Sequence, residues 1–311
     1  MDNSEGESNQ GTRSTDKEFT TPPQDPNSAH MSELLRLHQR LGHMPFAKLK
    51  QLAKQGSIPS YLAKTPTPVC AACTYAKLAK KAWRGKPTKD HVISTKATAP
   101  GSLVSVDQLV SPTPGYIAQM TGRLTTKRYK YATVFVDQYS RMGYVHIQKS
   151  PSAEETVEAK RAFETNMTSI GVSVRAYQAD NGIFRAHKWV DACTQKGQTL
   201  TFVGVNAHHQ NGHAERRIKE LQESARTMMI HAAKRWPGGI TTNLWPYAIR
   251  MASDIFNNSP SMQHIGFKSP LQVASGSEVQ MNPKHHHTFG CPTYVLHSDL
   301  QQNKPFGKWL R

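Results

Sequence analysis

The order of apolar runs predicts an α/β fold, a sheet covered by helices. Three observations carry this. Between Leu103 and Val203 short β-prone runs and helical stretches follow one another as strand, strand, strand, helix, strand, helix, strand. A long amphipathic helix comes next, with Ala214, Ile218, Leu221, Ala225, Met228 and Ala232 at steps of three and four. Two of the strands end on an aspartate, Asp107 and Asp180, and the helix carries Glu215 near its start.

Taken in order, residues 1–30 are rich in Ser, Thr, Asn, Asp, Pro and Gly and predict a disordered leader. From Met31 a helix carries Leu34, Leu35, Leu37 and Leu41; Gly42 breaks it, and Pro45 opens a second helical run from Phe46. His38 and His43 lie on this stretch, and twenty-six residues after His43 comes Cys70-Ala-Ala-Cys73. Two thiolates on a tight turn and two imidazoles make a tetrahedral N2S2 set suited to structural zinc, although a redox Cys-x-x-Cys beside incidental histidines has the same spelling. Lys77 to Lys89 then gathers six cations, Lys80, Lys81, Arg84 and Lys86 among them, around Trp83. Phosphate contact, a solvated linker and a nuclear-import signal all fit that composition.

The core strands are expected at Leu103–Asp107, Tyr131–Asp137, Gly143–Ile147, Val174–Ala179 and Leu200–Val203. Ser152 and Glu155 spell a capping box for the first core helix, which Gly171 closes. A short helix is expected near 187–195, the long one from Gly212, and another from Asn243 to Asn258-Ser-Pro. On the long helix Glu215, Lys219, Gln222 and Arg226 share a second face, the pattern of an acid with a basic row behind it and equally of a solvated face with an i,i+4 pair.

The bulk numbers narrow the class. At 311 residues the chain has room for about two domains. Thirty-nine Lys and Arg against 22 acids give a net charge of +17, which implies a polyanionic partner. No run reaches the ~18 apolar residues that a membrane helix needs, so no membrane partner is expected. The Met-Asp-Asn-Ser start lacks the regions of a signal peptide, so an intracellular protein with four reduced cysteines is expected.

The matching motifs are Asp107, then Asp180-Asn181-Gly182, then Asn211-Gly212-x-Ala214-Glu215-Arg216, with 72 residues between the first two acids and 34 between the last two. In these the sequence resembles the integrase of copia-type LTR retrotransposons, within the retroviral-integrase and DDE-transposase family; the last interval is one residue shorter than the family's commonest. The resemblance runs from about Leu37 onward. It implies an RNase H-like catalytic core over 99–260 and a His-His-Cys-Cys zinc module over 31–76. A basic linker over 77–98 would join the two, and a small β module over 261–311 would follow, breaking off at Arg311. It also implies a polynucleotidyl transferase, with possible endonuclease activity, that joins element cDNA to chromosomal DNA. Asp107, Asp180 and Glu215 would be catalytic and would hold Mg2+ or Mn2+. Zn2+ would sit on His38, His43, Cys70 and Cys73. DNA contact is expected from Lys80, Lys81, Arg84, Lys86, Asn211, Arg216, Lys219, Gln222 and Arg226, by a homo-oligomer acting in the nucleus. Asp137, in Val134-Phe-Val-Asp137-Gln-Tyr-Ser-Arg141, also ends a strand and is assigned a structural role, paired with Arg141. Two rival functions share the pattern: a nuclease of the same fold without strand transfer, and an inactive or domesticated nucleic-acid-binding remnant.

Overall fold

The computed structural model describes residues 26–78, 97–118, 126–202, 211–278 and 280–294. Its centre is a five-stranded sheet of β1 (Val104–Gly115), β2 (Tyr129–Asp137), β3 (Gly143–Gln148), β4 (Ala176–Ala179) and β5 (Thr199–Phe202), in the order β3-β2-β1-β4-β5. The first three strands are antiparallel, and β4 and β5 run parallel to β1. This is the RNase H-like arrangement.

Strand alternation assigns the two faces. Val104, Val106, Phe135, Tyr177 and Ala179 pack against α4 (Ala153–Ser169) and α5 (His187–Thr194), through Phe163, Met167 and Trp189. On the other face Leu109, Val134, Val136 and Ile147 meet Leu221, Ala225 and Met228 of α6 (Gly212–Arg235) and Ala248 and Ile249 of α7 (Trp245–Asn258). Ser152 caps α4 by accepting from the Glu155 amide, but the Glu155 carboxylate bonds the Lys149 and Ser150 amides, so only half of the expected capping box forms.

β1 departs most from the sequence expectation. It continues eight residues beyond Asp107, because β2 pairs with it as far as Val110↔Tyr131 and again, past a bulge, at Gly115↔Tyr129. Gly115 is required there: a Cβ would stand 2.4 Å from Pro246 Cγ and 2.6 Å from Trp245 Nε1.

The N-terminal module comprises α1 (Pro26–Arg40), α2 (Phe46–Lys54) and α3 (Ala71–Ala76) around Leu34, Leu37, Leu41, Leu49, Leu52 and Leu62. α1 begins inside the stretch expected to be a disordered leader, with proline at its first position, where a missing N–H costs nothing. The module docks on the core: Ile255 of α7 joins its apolar cluster, and Ser224 of α6 donates to the Gly42 carbonyl at 3.2 Å. The described post-core residues form α8 (Pro270–Ser275), capped by a Ser269–Gln272 capping box, and carry no strand. Residues 295–311, into which the expected β module extends, lie outside the described set.

Candidate active site and metal centre

Two groups of side chains are built by this fold. The first is the acid set. β1 and β4 pair in parallel at Val104↔Tyr177 and Ser105↔Gln178, so the register carried two residues on sets Asp107 beside Asp180. Val104, Val106, Tyr177 and Ala179 face α4 and α5, so alternation turns both aspartates to the α6 side. Gln138 clamps the two strands at that level, donating to Ser105 Oγ at 2.8 Å and to Gln178 Oε1 at 2.6 Å.

α6 is fastened to the same place. Asn211, at its N-cap, is 2% exposed and donates through Nδ2 to the Val106 carbonyl at 3.0 Å. Glu215 follows one turn later, exposed, on the helix so fixed. Asp107 and Asp180 each turn an oxygen to a nearby amide, Gln108 N at 2.7 Å and Gly182 N at 3.1 Å. Among the described residues these three carboxylates do not form a group within reach of a single ion.

Several expected roles change. Asn211 is turned inward and holds the helix start, so it does not present its amide to DNA. Arg216, Lys219, Gln222 and Arg226 are exposed, and the last two border a groove of about 410 Å³ between α6 and the far half of β1. Lys80, Lys81, Arg84 and Lys86 lie outside the described residues. Asp137 is structural, fully buried and bonded by the Gly101 amide and by the Ser140 amide and hydroxyl; burial raises its carboxyl and these donors oppose the rise. Its expected partner differs, because the Arg141 side chain reaches the His213 ring. Burial, and then Arg141, push His213 down to about 4, so the ring accepts. Gln138 and Asn211 as clamps were not read from the sequence. Gln138 follows the strand-ending Asp137, and Asn211 stands at the foot of the apolar stripe, places where polar residues normally meet solvent.

The second group is His38, His43, Cys70 and Cys73, whose ligand atoms all lie within 4.8 Å of one another, the one such group of three or more among the described residues. His38 Nε2 is 3.1 Å from His43 Nδ1 and 3.2 Å from Cys73 Sγ; His43 Nδ1 is 3.5 Å from Cys70 Sγ and 3.6 Å from Cys73 Sγ. A tetrahedron with metal–nitrogen near 2.05 Å and metal–sulfur near 2.3 Å has edges of roughly 3.3 to 3.8 Å. The set therefore fits zinc in size as well as in chemistry. His38 Nδ1 bonds the Met44 carbonyl at 2.8 Å, which fixes the tautomer with its lone pair on Nε2. Gly42 and His43 both have a φ of 59°, and this left-handed corner between α1 and α2 aims Nδ1 at the cysteines. Burial pushes His38 down to about 4 and His43 to about 3, so both imidazoles are neutral donors; burial and Cys70 push the Cys73 thiol up to about 12, so a metal must displace its proton.

Residues 17–78 match the GAG-pre-integrase domain family. The retrovirus-related Pol polyprotein from transposon TNT 1-94 of Nicotiana tabacum is 26% identical over 273 residues, 86% of this chain and 18% of its own length. The chain is similar to retrovirus-related Pol polyproteins of transposons. It spans less than a fifth of the length of the curated relatives it matches. Among solved structures, a simian T-cell lymphotropic virus intasome in complex with PP2A regulatory subunit B56 gamma aligns over 80% of this chain and 76% of its own, at 16% identity and a TM-score of 0.45. The HTLV-2 integrase catalytic core domain in complex with magnesium aligns over 57% of this chain and 98% of its own, at 16% identity and a TM-score of 0.39.

Proposed function

We propose that the chain is a metal-dependent DNA strand transferase that inserts retrotransposon cDNA into chromosomal DNA in the nucleus, as an oligomer on paired DNA ends. What supports this reading is that the β1–β4 register carries Asp107 beside Asp180 and that the Asn211–Val106 bond holds the start of the helix bearing Glu215 against β1. Strand transfer needs a hydroxyl deprotonated, an in-line attack at phosphorus and a stabilised leaving oxygen, and a carboxylate cluster suits the hard divalent ions that supply those effects. Asp107, Asp180 and Glu215 would hold these ions, which would supply the charge that activates the hydroxyl and stabilises the leaving oxygen. Lys219 and Arg226, exposed on the helix that bears Glu215, hold the DNA backbone. His38, His43, Cys70 and Cys73 hold zinc, which keeps α1 and α3 together beside the core.

The test is a joining assay with purified protein, Mg2+ or Mn2+, labelled duplex ends and a plasmid target, run beside Glu215→Gln. Joined product that vanishes in the variant supports the proposal. Cleavage without joining would replace it with a nuclease, and binding without either reaction, unaltered in Glu215→Gln, with an inactive binder.

A further inference from the structure

The four residues that fit zinc do not lie wholly within the N-terminal module's own packing. Their Gly42–His43 corner is seated on α6, against Ser224, Met228 and His231, which follow at steps of four and three along one face of that helix. Ser224 Oγ donates to the Gly42 carbonyl at 3.2 Å. A Cβ on Gly42 would stand 3.1 Å from Met228 Sδ and 2.5 Å from Ile255 Cδ1, so the backbone itself meets the core there. The partly buried His231 ring lies against the His43 ring, perpendicular to it, with 4.9 Å between centroids.

His43 is the informative ligand. Its Nδ1 is the atom turned to His38 and the two cysteines, so a metal bound there leaves the ring proton on Nε2. His43 is 3% exposed, and Nε2 is buried without a hydrogen-bond partner. A buried N–H with no acceptor is costly, and metal-bound imidazoles almost always give their second N–H to one. His38 meets that need through Nδ1, which bonds the Met44 carbonyl at 2.8 Å. Beside His43 the rings are those of His38, a fellow ligand, and of His231 on α6. A neutral imidazole carries one acceptor nitrogen, and a rotation of the His231 ring brings that nitrogen toward Nε2.

We propose that His231 is a positioning residue for the zinc centre: in the zinc-loaded chain a nitrogen of its ring accepts the Nε2–H of His43 and holds that ligand for the metal. The centre is then completed by the helix that bears Glu215, and zinc fastens the module to the core as well as α1 to α3. The inference rests on the zinc reading of the four ligands and is independent of strand transfer.

Two measurements on the zinc-loaded full chain test it. In nitrogen magnetic-resonance spectra of histidine-labelled protein, a coupling across the hydrogen bond should link His43 Nε2 to a ring nitrogen of His231. This needs no substitution, so no folding defect can obscure it, and resolved His43 signals without the coupling would overturn the proposal. Zinc affinity, by competition with a chromophoric chelator, is then compared for His231→Phe, which keeps a packed ring without an acceptor, and His231→Gln, which keeps an acceptor. His231→Phe should weaken zinc binding at least about tenfold, the usual effect of removing a ligand's outer partner, and His231→Gln should restore most of that loss. Parent affinity in His231→Phe, or a loss as large in His231→Gln, would reduce His231 to packing and overturn the proposal. A parent chain that takes up no zinc would overturn the ligand reading beneath it, and this inference with it.

Discussion

Removing the metal from the His38, His43, Cys70 and Cys73 set is expected to unfold the N-terminal module. The module's own apolar core rests on Leu34, Leu37, Leu41, Leu49, Leu52 and Leu62. A core of that size supplies no more than about 3–5 kcal/mol, whereas structural zinc contributes an apparent ~10–16 kcal/mol at neutral pH. The metal term is the larger by a factor of about two or more, so the apo module falls below its folding threshold. Contacts to Ile255 and Met281 recover only a small part, since two side chains bury too little surface to make up the difference. Hydrogen exchange of the full chain, before and after chelation, reads this directly. Amides of α1 and α3 should lose at least about a hundredfold of protection, equivalent to roughly 3 kcal/mol, while β1 and β2 keep theirs. Cys73→Ser should reproduce the chelated pattern without chelator. Unchanged protection in α1 and α3 after the metal is stripped would refute the reasoning.

Three further outcomes follow from the core. Burial alone would raise Glu164, but bonds from Lys160, Lys196, Gln198 and Tyr177 hold it down to about 2, against an ordinary 4.5. This lowered carboxyl contributes on the order of 3 kcal/mol that is present above pH 4.5 and lost as pH falls toward 2; Glu164→Gln should remove that acid limb from urea titrations and leave the fully buried Lys160 charge unpaired. Gly101 has a φ of 77°, and a Cβ there would stand 2.3 Å from the Ser173 carbonyl oxygen, so Gly101→Ala should cost more than about 2 kcal/mol and lower the melting temperature by several degrees. Asn211→Ala breaks the bond to the Val106 carbonyl at a cost of about 1–3 kcal/mol, and strand transfer should fall further than DNA affinity, as comparison of rate and binding measurements will show.

The elements legible in the sequence are those whose signal is local. Hydrophobic period gave α6, the Ser152 cap gave the start of α4, and β-branched runs gave the five strands. The place of Asp180 just after a strand and of Glu215 in the first turn of a helix was legible, whereas Asp107 lies within β1, eight residues before its end. What remained hidden depends on partners far along the chain. The length of β1 past Asp107 is set by β2, which a propensity reading of Ser-Pro-Thr-Pro opposes. Arg217 is buried because it falls between Ala214 and Leu221 on the apolar stripe, three and four residues from each, a position that marks it as inward-facing although its residue type suggests solvent. Asp137 and Arg141 are neighbours in sequence, yet the Gly101 amide takes the carboxylate and His213 takes the arginine, an exchange no local rule encodes.

We propose that Asp107, Asp180 and Glu215, and not Asp137, hold the catalytic metal ions. Crystals soaked in Mn2+ and measured for anomalous scattering test it most directly. The account predicts two peaks roughly 4 Å apart, bounded by these three carboxylates. No peak at that place, or a peak on Asp137, would contradict it.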